Sequence, residues 1–188
     1  MNAIFQPVPH KLTVEAYCDL ARTGHLDEDD RVELIDGVII EMAPIGTDHV
    51  TAVNRLNRLL VLAVGDAGVV SVQNTVALRP FSAPQPDVAV LVPRFRRFGE
   101  GLPDAGDILL MIEVSDTTLA WDRGTKMPLY ARHGVRESWI VNLRARRIEV
   151  YREPGEHGYA SRSDHAPGEA VTPLALPGVS IAVSEVLE

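Results

Sequence analysis

Asp87, Glu113 and Lys126 are the residues of this chain whose types and placement suit catalysis. Asp87 opens an apolar run at 88–92, and Glu113 stands where another, 108–112, ends. A carboxylate at the end of a buried strand is costly unless something cationic or hydrogen-bonding receives it, which implies a metal, a lysine or a backbone amide. Two such acids at the ends of neighbouring strands, followed by Lys126, could hold a hard divalent cation beside a general base or charge stabiliser. The plainer reading of the same three residues is a structural ion-pair network. Glu33 and His49 are supporting candidates. Glu33, set between apolar neighbours, is either the outward residue of an alternating strand or a third acid facing the site. His49 falls in the first turn of a helix, as a surface or capping residue or as a functional one.

Positioning these side chains falls to elements that the residue pattern outlines. Thr13 can cap a helix over 14–23, which Gly24 ends. Two alternating runs, 31–35 and 38–42, flank Asp36-Gly37, the sequence of a tight hairpin turn. Thr47 or Asp48 can cap a helix over 49–64 with Val53, Leu56, Leu59, Leu60 and Ala63 at helical spacing, stopped by Gly65 and Gly68. Arg55 and Arg58 on its polar face are solvated or contact phosphate. Strands follow at 69–78 and 88–92, then a loop in which Arg94, Arg96 and Arg97 interleave with Phe95 and Phe98. That loop either tracks a phosphate backbone while stacking on bases or is a solvated surface. Pro128 is tolerable only in a first helical turn, so the helix after the Glu113 strand is expected from about Thr125 to His133, with any turn at Asp122 separate or kinked. A strand at 137–142, its hairpin partner at 147–151, further β structure and a short final helix complete the chain.

Composition narrows the function classes. At 188 residues the chain suits a single domain able to bury one substantial core. A net charge of -8 argues against non-specific polyphosphate binding, which Lys and Arg drive, although a local basic cleft on an acidic body remains compatible with it. The single cysteine, Cys18, rules out an internal disulfide and a thiolate zinc cluster and points to a reducing cytoplasm. No run approaches the roughly 20 apolar residues of a membrane span, and the first residues carry no leader pattern. The six histidines are scattered without zinc-ligand spacing, and no Gly-x-Ser-x-Gly elbow marks a metal-independent hydrolase.

The order from His49 to Asn142 is helix, three strands, helix, strand, with an acid opening the second strand and an acid ending the third. That order matches the restriction-endonuclease core. VELIDGVIIEMAP, the helix opening at His49, QPDVAVLV, IEVSDTT, DRGTKMPLYARHGVRESWIVN and LPGVSI together resemble the Uma-type family of restriction-endonuclease-like proteins, a former domain of unknown function within the PD-(D/E)xK nuclease superfamily. The resemblance implies an α/β fold with a mixed central αβββαβ sheet, an N-terminal helix and hairpin, and a C-terminal β extension. It also implies a Mg²⁺- or Mn²⁺-dependent endonuclease acting on nucleic acid, with DNA the expected target and a homodimer the expected assembly, the strand at 137–142 and its hairpin offering an edge. Asp87 matches the aspartate of the PD pair and Glu113 the first acid of the ExK element, the two that would bind the metal. Ser115 stands where the lysine belongs; Lys126 on the following helix looks like its migrated replacement. Glu33 and His49 match family positions in the first hairpin and at the helix start. The rival reading is a nuclease fold kept as a silent binding or structural module.

Overall fold

The computed structural model describes residues 9–27, 29–96 and 101–188; Arg97 and Phe98 of the basic loop, and the side chain of Arg96, lie outside the described residues. The chain runs through α1 (Val14–Arg22), the hairpin β1 (Val32–Ile35) and β2 (Val38–Glu41), α2 (Thr47–Val64), then β3 (Val69–Val72), β4 (Val88–Leu91) and β5 (Ile108–Ser115). A crossover helix follows in three pieces: α3 (Leu119–Trp121), a π-helical turn (Asp122–Lys126) and α4 (Met127–Arg132). Then come β6 (Glu137–Asn142), β7 (Arg147–Gly155), β8 (Gly158–His165), the short β9 (Ala170–Val171) and β10 (Ile181–Ala182), and α5 (Val183–Leu187).

Strands β3 to β8 form one sheet in sequence order. Only β5 and β6 pair in parallel within it; the other neighbours are antiparallel. A parallel pair cannot be joined by a tight turn, so the chain must cross over between them, and the helix that carries Lys126 is that crossover. The expected mixed αβββαβ core is therefore present, extended by β7 and β8.

Both faces of the sheet are covered, which is why its central strands read as continuous apolar runs. Val88, Val90, Leu110 and Ile112 meet Leu56, Leu60 and Val64 of α2, together with α5 and the β9–β10 pair. Residues of opposite parity, Ala89, Leu91, Met111 and Ile140, meet Met127, Leu129 and Tyr130 of α4. Leu56 is 0% exposed, so Leu56→Ala would cost about 2–5 kcal/mol. A smaller cluster seats α1 on the hairpin through Val14, Tyr17 and Leu34, with Ala77 and Ala83. The hairpin turns at Asp36 (φ 51°) and Gly37 (φ 85°), as its Asp-Gly sequence requires.

Five expectations need correction. The strand expected over 69–78 stops at Val72, because Gln73 takes a positive φ of 51°; Ala77 and Leu78 are buried instead through isolated bridges to Asp104 and Ser82. Glu113 is not at a strand end. Pairing with β6 carries β5 on through Glu113↔Ile140 to Ser115↔Asn142. The crossover helix starts at Leu119 rather than near Thr125, since a widened turn ahead of Pro128 lets the helix continue through it. Lastly, β6 offers no edge for a dimer: it is bonded on both sides, by β5 and by β7, and the sheet ends at β3 and β8. The α2 cap also differs, for Gly46 stands at the N-cap with no side-chain cap.

Candidate active site

The floor of the site is set by strand register. Val88 pairs with Ile112 in the antiparallel β4–β5 ladder, so one step further brings Asp87 opposite Glu113 on the same face of the sheet. There β4 has not yet begun and cannot bond the Val114 amide by its backbone. The Asp87 side chain does so instead: its Oδ2 accepts the Val114 N–H at 2.8 Å. The same oxygen faces His49 Nε2 at 3.1 Å, and Oδ1 accepts from Gln73 Nε2 at 3.3 Å. In a neutral ring bonded this way Nε2 donates, and His49 Nδ1, which is buried without a partner among the described residues, keeps its lone pair.

Glu113 shares its parity with Met111 and so points at the crossover helix. Tyr130 donates its hydroxyl to Glu113 Oε1, and Lys126 Nζ lies 3.3 Å from the same oxygen. Lys126 Nζ also lies 3.2 Å from Glu33 Oε2, which accepts the Gln85 amide at 3.3 Å. Glu33 is thus the third acid of the site and not an outward residue; it is 3% exposed.

The crossover helix brings Lys126 here by an unusual winding. Through Asp122–Lys126 it opens to a π turn, in which Met127 N–H reaches back to Asp122 O. Such single turns accommodate one extra residue and recur at functional sites. The turn is pinned to the sheet by Arg123, whose Nε donates to Glu149 Oε2 at 2.9 Å and whose Nη2 also bonds that carboxylate. Glu149 on β7 is 0% exposed and also accepts from Asn142 Nδ2 at 2.9 Å and Tyr151 Oη at 2.7 Å.

Asp122 is a fourth buried acid, overlooked in the sequence because Pro128 seemed to exclude a helix this early. It accepts from Ser115 Oγ and Thr118 Oγ1, both at 2.7 Å. Ser115, standing in the expected lysine position, is thereby committed to holding Asp122. Tyr130, Gln73 and Gln85 were also missed: each lies within an ordinary-looking helix or loop, and only the tertiary contacts reveal it.

Charge inside this corner is unbalanced. Burial pushes the Glu113 carboxyl well above the usual range; Lys126 opposes the rise, and Asp87, Asp122 and Glu33 reinforce it. Burial likewise raises Asp122, against the hydrogen bonds from Ser115 and Thr118. For Lys126 burial disfavours the charge, but Glu113 and Glu33 outweigh it and its pKa rises. Acid and amine therefore shift in the same direction, as expected where Glu33, Asp87, Glu113 and Asp122 share one ammonium. Such a corner attracts further positive charge.

The corner opens into a cleft of about 570 Å³. Among the described residues no group of three or more His, Cys, Asp or Glu is arranged as a ready-made metal cage. A pair of carboxylates suits Mg²⁺ nonetheless, since that ion keeps several waters and completes its shell with substrate phosphate. Asp87 and Glu113, the excess of acids and the unpartnered His49 Nδ1 fit such an ion. Of the other arginines considered above, Arg94 is bonded to Asp107 at 2.6 Å, and neither Arg55 nor Arg58 lines the cleft, whereas Arg31 does.

A family model, Uma2, described as "Putative restriction endonuclease", matches residues 14–184. Among solved structures, a putative nuclease belonging to DUF820 from Anabaena variabilis ATCC 29413 superposes with a TM-score of 0.71 at 15% identity, covering 93% of this chain and 97% of that one. At that identity the likeness establishes the fold. The curated proteins contain no match.

Proposed function

Because the chain belongs to the Uma2 family of restriction-endonuclease-like proteins, we propose that it is a Mg²⁺- or Mn²⁺-dependent endonuclease that hydrolyses phosphodiester bonds, with DNA as its substrate. The observation that carries this reading is the meeting of Asp87, Glu113 and the Lys126 ammonium in one cleft, from three separate elements. Asp87 and Glu113 would hold the ion, which when bound lowers the pKa of a coordinated water and draws charge from the scissile phosphate. Lys126 stays protonated among its carboxylates, so it serves by orienting the attacking water or by stabilising charge on the phosphate rather than by taking a proton. In the reaction the water oxygen bonds to phosphorus, one ester P–O bond breaks, and the departing oxygen gains a proton. Glu33 holds Lys126, and His49 orients Asp87 while offering Nδ1 to a water.

A nicking assay on supercoiled plasmid with Mg²⁺ or Mn²⁺ tests the reading, comparing wild type with Asp87→Ala and Lys126→Ala. Loss of nicking in both variants is expected; equal activity in all three would mean that the cleavage comes from elsewhere. A silent module is the second reading, favoured by the internal pairing of Glu113 with Lys126 and Tyr130. It predicts no metal-dependent rise in melting temperature. Cutting both strands of a duplex needs two such sites, which a homodimer would supply; light scattering on the eluted protein measures the assembly. A chain with a single cysteine suits a reducing cytoplasm, where we place it; no helix among the described residues is long and apolar enough to cross a membrane.

A further inference from the structure

Trp121 is the last residue of α3, directly before buried Asp122, and it is 38% exposed at the wall of the cleft. Its backbone is fixed from below by the bonds of Asp122 and Arg123. Across the sequence, the loop between β2 and α2 lines the same cleft with Met42, Pro44 and Ile45, and Ile45 is itself 38% exposed. An indole and an apolar lip beside a site floored by charged groups give the cleft one apolar wall. The charge of the lining indicates what covers it. Six carboxylates (Glu33, Glu41, Asp87, Glu113, Asp116 and Asp122) face two cations, Arg31 and Lys126. Duplex binding is driven by rows of Lys and Arg along two backbones, and this lining has no such row. Among the described residues it can receive a phosphate at the metal, Lys126 and Arg31 alone, so much of the remaining affinity has to come from apolar contact.

Resting on the nuclease reading above, we propose that Trp121 and the lip at Met42, Pro44 and Ile45 form a base-stacking subsite, and that the substrate is a single-stranded or locally unpaired nucleic acid. A base within a duplex has both faces covered by its neighbours; only an unstacked base can lie on an indole. The cleft volume, about 570 Å³, is that of a small-ligand pocket and suits a nucleotide entering with its base on Trp121 and its phosphate at the acid corner. A single strand also needs only one active site.

The chain has two tryptophans, and Trp139 is 0% exposed, so a change in emission on binding reports Trp121. The test titrates the wild-type protein with an oligothymidylate of roughly ten nucleotides and with a duplex of equal length, in Ca²⁺ and in EDTA. Saturable quenching by the single strand is expected, at least tenfold tighter than by the duplex, with a shallow salt slope corresponding to one or two phosphates. In the cleavage assay Trp121→Ala should raise KM by about five- to a hundredfold with kcat little changed, and Trp121→Phe should restore most of the loss. Tighter binding or faster cutting of the duplex, an unchanged KM in Trp121→Ala, or no quenching by either nucleic acid, as for an indole that instead contacts a protein, would each overturn the subsite. Quenching without cleavage would leave the subsite standing and refute the nuclease reading. Cleavage that ignores Trp121 would do the reverse.

Discussion

Replacing Lys126 with Met keeps an unbranched side chain of similar reach but leaves Glu33 and Glu113, each 3% exposed, without the cation between them. Removing one partner of a buried ion pair costs about 3–5 kcal/mol when the other stays charged. Here the remaining partner has an escape, because burial already holds the Glu113 carboxyl well above its ordinary range and losing Lys126 raises it further. A carboxyl raised in the folded state binds more protons folded than unfolded, so stability falls as pH climbs from the ordinary carboxylate value through the folded one. Lys126 itself is raised, so its contribution in the wild type is complete at neutral pH and is lost only as pH rises past the ordinary lysine value. The variant should therefore lose about 3 kcal/mol at pH 8, equivalent to about 6–12 °C in Tm for a chain of this size, and markedly less at pH 5. Thermal melts of both proteins across that interval in EDTA measure the difference. A deficit that is the same at both ends, or under about 2 °C throughout, would refute the picture of a surplus of acids held by one amine.

Three further outcomes are expected. Mg²⁺ or Mn²⁺ should raise the wild-type Tm, an effect lost in Asp87→Asn and Glu113→Gln, and calorimetric metal affinity should tighten with rising pH because the raised Glu113 must shed its proton first. Arg123→Ala should cost about 1.5 kcal/mol, the low end for a charged hydrogen bond because Arg123 keeps 37% exposure, and should lower kcat more than it changes KM. Burial tends to raise Glu149, but Arg123, Asn142 and Tyr151 together hold it below its usual range; this stabilisation is present above the ordinary carboxylate value and fades as pH drops through the folded one, so urea melts of Arg123→Ala and wild type should converge in acid. Gly37→Ala would set a Cβ 2.5 Å from Lys11 Cβ at a φ of +85°, and should lower the unfolding free energy by more than about 1 kcal/mol, read as a lower urea midpoint at unchanged slope.

Much of this arrangement can be read from residue order, for a physical reason. Asp87 and Glu113 stand at the borders of runs that are otherwise wholly apolar, and a carboxylate so placed needs a metal, a cation or a backbone amide to receive it. Glu33 stayed ambiguous because β1 alternates in sequence while its residues Glu33, Leu34 and Ile35 are all buried, this strand of the hairpin being covered on both faces. Propensity failed at 73–78, where apolar residues found cover in bridges rather than in a ladder. It failed again at Asp122, since a proline argues against an α turn before it but not against a wider one. Tyr130 and Gln73 carry no local mark, because their roles depend wholly on which strand lies opposite.

The π turn ahead of Pro128 also bears on how this protein can change. Between Trp121 and Lys126 the backbone holds one residue more than a regular helix would use, and the indole and the ammonium reach one cleft across that surplus. Excising Gly124, whose missing side chain touches nothing within 4 Å, would turn the five-residue return into the four-residue return of a regular helix and leave the indole and the ammonium on about the same side. The turn can therefore take up a change of length that a regular helix would pass on to everything after it.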